Sequence, residues 1–225
     1  MTVIVVRPPP GDERTLARLA AAGIEGATMP LFAVRPVDWT APPRDRYDAL
    51  LLTSANAIRH GGSALASLRD LPVVAVGAAT ARAATDAGFA VAITGDGDVG
   101  AAIDRATAAG WTRLLHLAGR DRIHAGTHAV TVYANDTLPI ADGTARRFAG
   151  ATVLLHSARA AARVAALVDR DGVDRAAVRL AALSPAVAAA AGDGWQHVAI
   201  AARPTDAALI AVAIDPHAPR GDKTA

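Results

Sequence analysis

Six short apolar runs, each followed by a segment with a helical pattern, recur along the chain. They lie at 3–6, 49–52, 73–76, 113–117, 152–155 and 180–183. Continuous apolar runs of this length are typical of parallel strands that are buried on both faces of a sheet. Because such strands alternate with helices here, the sequence predicts an α/β protein built of βα units.

Helices are predicted between these strands, at 12–22, 54–60, 78–87, 98–109, 157–170, 185–191 and 205–213. Several end in a glycine suited to a left-handed cap, namely Gly23, Gly88, Gly110, Gly172 and Gly192. Where strands give way to helices, the residues expected as N-caps are Ser54, Gly77, Ser157, Ser184 and Thr205. Pro185 is suited to the first helical position.

These caps place helix N-termini at the carboxyl edges of the predicted sheets. A helix N-terminus offers free N–H groups and the positive end of the helix dipole, and ligands of open α/β sheets bind at the carboxyl edge. Two such edges facing each other would form a cleft lined by backbone donors, which suits a ligand with many negative groups. Each residue taken singly can equally be a helix cap and nothing more.

An internal repeat indicates two copies of one fold. Segment 50–58 resembles 154–162, segment 74–81 resembles 181–188, and the strand after Gly88 resembles the strand after Gly194. The offsets, from position 54 to 157, from 77 to 184 and from 88 to 194, are 103, 107 and 106 residues. A nearly constant offset predicts that the 225 residues form two α/β lobes.

Composition and spacing exclude several kinds of site. The chain has no cysteine, so disulfides, thiolate catalysis and cysteine-ligated metals are ruled out. Its histidines show no metal-ligand spacing, and the pair His124 and His128 is interpreted as part of a loop. Neither Ser54 nor Ser157 lies in a G-x-S-x-G nucleophile motif. We therefore expect no metal and no other cofactor.

The segment GDGDVG at 95–100 matches the dinucleotide pattern G-x-G-x-x-G. Asp96 and Asp98 would put negative charge against a pyrophosphate, and the corresponding segment of the other repeat keeps no glycines. A turn with Asp98 as N-cap is the preferred interpretation.

The charge pattern favours an anionic small molecule over nucleic acid. The formal net charge is +2, and Lys223 is the one lysine, so all other basic side chains of the Lys/Arg type are arginines. The guanidinium group suits carboxylates and phosphates. A GC-rich genome explains the arginines equally. Aromatic residues make up 4% of the chain, with no stacking motif for nucleic acid.

No signal peptide is recognised at 1–6, and no apolar run approaches the roughly 20 residues that span a bilayer. A soluble, cytoplasmic protein with a frayed end at 215–225 is therefore expected.

The motifs, taken in order, resemble the uroporphyrinogen-III synthase family. They are VIVVRPPP at 3–10, YDALLLTSANAI at 47–58, VVAVGAATARAATDAGF at 73–89, LLHLAGRDR at 114–122, VTVY at 130–133, LLHSARAA at 154–161 and LAALSPAVAAAA at 180–191. Each motif is weak alone, whereas the ordered set is specific and covers nearly the whole chain.

The resemblance implies two similar, doubly wound parallel-sheet lobes joined by a two-stranded linker. The first lobe would comprise 1–35 and 136–225, the second 36–135, and the linker strands would lie at 31–36 and 131–136. Many members carry a helix where this chain has only seven residues at 123–129. One covering helix of the second lobe is therefore expected to be missing.

The resemblance also implies an activity. The family closes hydroxymethylbilane, a linear tetrapyrrole with eight carboxylates, into uroporphyrinogen III with inversion of ring D and loss of water. This is a cofactor-free lyase of heme biosynthesis, expected as a monomer, with transient contacts to neighbouring pathway enzymes left open. The alternative is a non-catalytic two-lobed binding protein or sensor for an anionic metabolite.

Site residues follow from the resemblance position by position. The family's glycine-threonine turn maps to Gly77, Ala78, Ala79 and Thr80, whose backbone amides would hold substrate carboxylates. The other expected substrate-binding residues are Arg7, Thr53, Ser54, Asn56, Arg120, His156, Ser157, Arg159, Ser184, Pro185 and Ala186. Tyr133 maps to the linker tyrosine and is the candidate to assist departure of the hydroxyl group, with a packing role as its alternative.

Overall fold

Strands and helices alternate along most of the chain in a computed structural model that describes residues 2–122 and 125–215. In chain order they are β1 (Val3–Val5), α1 (Gly11–Ala21), β2 (Gly26–Thr28), β3 (Phe32–Pro36), β4 (Ala49–Leu52), α2 (Asn56–His60), β5 (Val73–Ala75), α3 (Ala78–Asp86), β6 (Val91–Thr94), α4 (Val99–Ala108), β7 (Leu114–Gly119), β8 (His128–Thr137), β9 (Thr152–Leu155), α5 (Ala158–Arg170), β10 (Arg179–Ala182), α6 (Pro185–Ala191), β11 (His197–Ile200) and α7 (Asp206–Ile214). The predicted α/β class is confirmed. The predictions for His124 and for the tail beyond residue 215 lie outside the described residues.

The chain divides into two compact units, Met1–Ala33 with Thr137–Ala225 and Val34–Asp136. Each contains one sheet, with strand order β11-β10-β9-β1-β2 in the first unit and β3-β8-β7-β4-β5-β6 in the second. Neighbouring strands such as β9 and β10 in the first sheet, and β4 and β5 in the second, are parallel. The repeated order β4-β5-β6 and β9-β10-β11 agrees with the predicted internal repeat.

The central strands β1, β4, β5, β7 and β9 are buried at every position, so both faces of each sheet are covered there. In the first unit, Ile4 packs in a cluster with helices α5 and α6, while Val3 and Val5 pack with α1 and α7. In the second unit, Leu50 and Leu52 pack with α2 and α3. The opposite face, with Leu51, packs on α4.

That last face has less helical cover than its counterpart. In the first unit, α1 connects β1 to β2, whereas β7 and β8 of the second unit are joined without a helix in the described part of 120–127. The expected shortening after Arg122 therefore leaves α4 as the one described helix on this face.

All five glycines predicted as helix caps adopt a positive φ, between 65° and 87°. Gly192 has a ψ of −159° and so lies outside the left-handed helical region. One strand, β2, has no counterpart among the predicted ones because its sequence, GAT, is half-buried and carries no apolar run.

No helix in the described ranges is both long enough and apolar enough to pass through a bilayer.

Candidate functional site

A cavity of about 290 Å³ opens at the carboxyl end of the second unit's sheet. We call it the carboxyl-edge cavity. It is lined by residues from the ends of β4, β5 and β7, from β8 and from the loop that starts α4, namely Thr53, Ser54, Val76, Gly97, Val99, His116, Gly119, Asp121, Arg122 and Tyr133. Thr53, Ser54 and Tyr133, all predicted as site residues, are thus brought together here.

Tyr133 lies against the backbone at the end of β7. A Cβ atom at Gly119 would stand only 2.8 Å from Cζ of the Tyr133 ring and 3.0 Å from its hydroxyl oxygen. Glycine is therefore required at 119 for the phenol to occupy this position. The Tyr133 ring centroid is 6.4 Å from that of His60, so an imidazole borders the phenol as well.

His116, for which no role is predicted from the sequence, forms part of the cavity wall. It is only 2% exposed, and its Nε2 is 3.0 Å from the hydroxyl oxygen of Thr53. Burial, with a further contribution from the nearby Arg122 guanidinium, lowers the pKa of His116 to about 4. The imidazole is therefore neutral near pH 7.

This lowered pKa predicts a loss of stability in acid. Between about pH 6.5 and pH 4 the unfolded chain binds a proton at position 116 that the folded chain does not, so stability falls as the pH falls. Denaturant titrations at pH 7 and pH 4.5 should show that wild type loses about 2 kcal/mol more than His116→Gln does. Equal losses in the two proteins would mean that His116 titrates normally in the folded state.

Arg122 and Arg120 differ in their surroundings. Arg120, the predicted substrate-binding arginine, pairs with Asp136 at 3.0 Å and does not line the cavity. Arg122 does line it, with one terminal nitrogen 2.8 Å from the hydroxyl of Thr131. The Nε of Arg122 is buried and has no hydrogen-bond partner among the described residues. Asp121, which is exposed, adds an acidic group to the lining.

The turn at Gly77 caps α3 as predicted, with an extended φ of −155°. Ala78 and Ala79 follow it and are exposed, and the amides at these two positions have no intrahelical partner in an α-helix. The amide of Thr80, in contrast, donates to the carbonyl of Gly77 at 3.0 Å. The expectation that the Thr80 N–H is free to hold a carboxylate is therefore wrong.

Ser54 is not the N-cap that the sequence predicts. The helix α2 begins at Asn56 with Ala55 as its cap, one residue later than expected. The Ser54 hydroxyl instead accepts a hydrogen bond from the Asn56 amide at 3.2 Å, while the Asn56 side chain accepts one from Arg59 at 3.3 Å. A local turn thus engages both Ser54 and the Asn56 amide.

The other predicted caps are present. Ser157 accepts from the amide of Ala160, Ser184 from Val187, Thr205 from Ala208 and Asp98 from Ala101. Because Pro185 has no N–H, Ala186 is the first residue of α6 that can offer an amide.

The segment at 95–100 is a turn followed by the start of α4, with Asp98 as the N-cap.

Two predicted site residues of the first unit are committed to a carboxylate of the protein. His156 Nε2 lies 2.8 Å from Oδ1 of Asp206, and an Arg7 terminal nitrogen lies 3.6 Å from the same oxygen. Asp206 also accepts hydrogen bonds from Thr15, at 2.9 Å, and from Arg18. Burial lowers the pKa of His156, against the opposing effect of Asp206.

Arg159 lies at the start of α5. Its guanidinium carbon stands 4.6 Å from the ring centroid of Phe32, and one terminal nitrogen is 3.4 Å from the hydroxyl of Thr137. The predicted residues of this unit thus include groups paired with Asp206, at Arg7 and His156, and the helix starts at Ser157 and Ser184.

Within residues 2–122 and 125–215 no group of three or more His, Asp or Glu side chains is placed to hold a metal ion.

Comparisons with known proteins identify what the chain is similar to. A family model described as uroporphyrinogen-III synthase HemD matches residues 13–211. A crystal structure of uroporphyrinogen-III synthetase from Helicobacter pylori superposes with a TM-score of 0.63 at 15% identity, covering 95% of this chain and 99% of that one. A mutant uroporphyrinogen III synthase from Thermus thermophilus has a TM-score of 0.49 at 17% identity, covering 94% and 96%. No curated protein sequence matches the chain.

Proposed function

The chain belongs to the uroporphyrinogen-III synthase family, and from this premise we propose that the carboxyl edge of its second-unit sheet is where the reaction is carried out. The function is that of the family. The protein cyclises hydroxymethylbilane to uroporphyrinogen III, with inversion of ring D and loss of water, in heme biosynthesis.

The chemistry defines what such a site must do. The bilane can close unaided to the uninverted type I isomer, so the enzyme must hold one folded conformer and exclude the direct route. A cavity of about 290 Å³ lies at the lower end of the range for ligand pockets. It suits one pyrrole ring with its carboxylate arms, and the other rings would lie against the remaining sheet edge.

Backbone amides supply the carboxylate contacts in this proposal. At the start of α3 the amides of Ala78 and Ala79 point out of an exposed helix end. The starts of α5, at Ala158 and Arg159, and of α6, at Ala186, offer the same kind of donor at the carboxyl edge of the first unit's own sheet. Helix N-termini favour anions, which is the charge that the substrate carries on every ring.

The observation that carries the proposal is the Tyr133 phenol in the same cavity as Arg122. Departure of the substrate hydroxyl leaves an electron-deficient azafulvene and needs a proton or a hydrogen bond on the leaving oxygen. The Tyr133 hydroxyl can donate that hydrogen bond, while the Arg122 guanidinium holds a neighbouring carboxylate. A hydrogen-bond donor beside a carboxylate anchor is what the first step requires, and this supports the proposal.

Product analysis tests this function against the binding-protein alternative. The protein is incubated with freshly generated hydroxymethylbilane, the products are oxidised, and the porphyrin isomers are separated. We expect the type III isomer to dominate. Type I alone, at the rate of the uncatalysed closure, would leave only a binding role.

Replacing Ala78 by proline tests the amide contacts without breaking the helix. Ala78 is the first residue of α3, where proline is favoured and where the missing N–H has no intrahelical partner. The chain already has a proline at the first helical position of α6, Pro185. Its N-cap, Ser184, has a φ of −159°, which is close to the φ of −155° at Gly77, the N-cap of α3. Loss of one amide bond to a carboxylate should raise KM by about tenfold or more.

The measurement is a steady-state titration of substrate together with a thermal melt. An unchanged melting temperature with a raised KM supports the amide contact. An unchanged KM in a folded Ala78→Pro protein would remove this helix start from the binding site.

We further propose that the reaction is a cofactor-free elimination of water, as a lyase. The substrate supplies both the leaving group and the attacking carbon, so no electron carrier is needed for atoms and charge to balance. Full activity after exhaustive chelation and dialysis is expected. Activity that is lost on chelation and returns with an added metal would contradict this.

A further inference from the structure

The five strands of the first sheet correspond in order to five of the six strands of the second, and this identifies the counterpart of His116. On β9, Leu154 pairs in register with Val5 of β1. On β4, Leu51 pairs in register with His116 of β7. Since Leu51 and Leu154 differ by the repeat offset of 103 residues, His116 holds the place in the second unit that Val5 holds in the first.

In the first unit this place is apolar and covered. Val5 is fully buried in a cluster with Leu19 of α1. The same helix supplies Thr15 and Arg18, which donate to Asp206 at the sheet edge. Helix α1 therefore closes this edge with both apolar and polar side chains.

The second unit has a histidine and a cavity at the equivalent place. No helix follows β7 in the described residues, and His116 faces the carboxyl-edge cavity beside Thr53 and Arg122. A polar side chain in a strand buried on both faces costs stability unless it is hydrogen-bonded, and Thr53 is the partner that His116 has. The second unit thus has histidine where the first has valine, and at this place it also has a cavity and no covering helix among the described residues.

We propose that His116 is a positioning residue for the substrate. Its Nε2–H donates to the Thr53 hydroxyl oxygen, so that the Thr53 proton is turned into the cavity toward a carboxylate of the bilane. The Arg122 guanidinium, which lines the same cavity, binds the same carboxylate arm. This inference rests on the proposed function and adds a side-chain subsite to the amide contacts.

The opposite tautomer would not serve this role. If the Thr53 hydroxyl donated to His116, its oxygen would present lone pairs to a carboxylate and repel it. Among the described residues that line the cavity, Asp121 is the one acidic residue, and it is exposed. Buried His116 and exposed Thr53 therefore form an uncharged part of the wall, and the Arg122 guanidinium supplies the positive charge.

A double-mutant cycle tests the inference. KM and kcat for hydroxymethylbilane are measured for wild type, His116→Leu, Thr53→Val and the double variant. Loss of a hydrogen bond to a charged group should raise KM roughly tenfold in each single variant, with little change in kcat. The double variant should be no worse than either single one, because both remove the same contact.

His116→Gln is the conservative variant, since its side-chain amide can place an N–H near the position of Nε2. It should restore a KM close to that of wild type. If His116→Leu does not fold, His116→Asn takes its place in the cycle, because the shorter amide loses the bond to Thr53.

Additive effects in the cycle, or a wild-type KM in folded His116→Leu, would overturn the positioning role. Failure of the proposed function has a different signature, since wild type itself would then form no type III isomer.

Discussion

Tyr133→Phe should lower single-turnover conversion of hydroxymethylbilane by roughly 10²–10⁴-fold, the range typical of a positioned proton donor. The ring, which fits against Gly119, is unchanged by loss of the hydroxyl, so fold and substrate affinity should be retained. A drop smaller than this range would mean that conformational control carries most of the acceleration, because the azafulvene can form without an enzyme.

The chain offers a matched control, since it has only two tyrosines. Tyr47 lies just before β4, at the opposite end of the strand from the carboxyl edge, and its hydroxyl is hydrogen-bonded to His128. Tyr47→Phe removes an equivalent phenol and should leave turnover unchanged. Wild-type turnover in a normally folded Tyr133→Phe protein would leave Tyr133 as a packing residue.

The apolar strands could be predicted from the sequence because each is buried on both faces. The runs predicted at 49–52 and 152–155 coincide with β4 and β9. Burial of every position leaves a continuous apolar signal that polar loops bound at each end. An edge strand such as β2 has half-buried positions, so its sequence carries no such signal.

Local hydrogen bonds limit how much of the candidate site can be predicted from the sequence. Serine before a helix is a good N-cap in general, and Ser157 is one. Ser54 instead accepts a hydrogen bond from the amide two residues later, that of Asn56, and Ala55 becomes the N-cap of α2. The amide of Thr80 is likewise engaged by the tighter first turn of α3. Such one-residue shifts depend on backbone geometry that the residue types leave open.

Tertiary contacts set a second limit. His116 could have been noticed as a polar residue inside a run of leucines, but its partner Thr53 is 63 residues away in sequence. Asp206 looked like an ordinary acidic residue in the first turn of α7. Its donor Thr15 is 191 residues distant, and no local pattern links them.

Loss of Asp206 should destabilise the fold, because this carboxylate accepts several hydrogen bonds. Its side chain is 11% exposed and accepts hydrogen bonds from Thr15, Arg18 and His156. Although burial alone would raise the pKa of the Asp206 carboxyl, these hydrogen bonds lower it below 3.8. Removing the carboxylate leaves these donors without their acceptor, and hydrogen bonds to a charged group contribute about 1.5–3 kcal/mol.

Asp206→Ala should therefore lower the free energy of unfolding by about 2–3 kcal/mol at pH 7, measured by denaturant titration. Asp70→Ala is the control, because its pair with Arg44 at 2.8 Å is exposed and such pairs contribute about 1 kcal/mol or less. A carboxyl whose pKa is lowered on folding stabilises the protein above its unfolded pKa and loses that effect as the pH falls. The gap between wild type and Asp206→Ala should accordingly be full at pH 7 and shrink below about pH 4. An Asp206→Ala protein no less stable than Asp70→Ala would show that the network at the start of α7 is solvated, and would return Arg7 and His156 to the list of groups free to bind substrate.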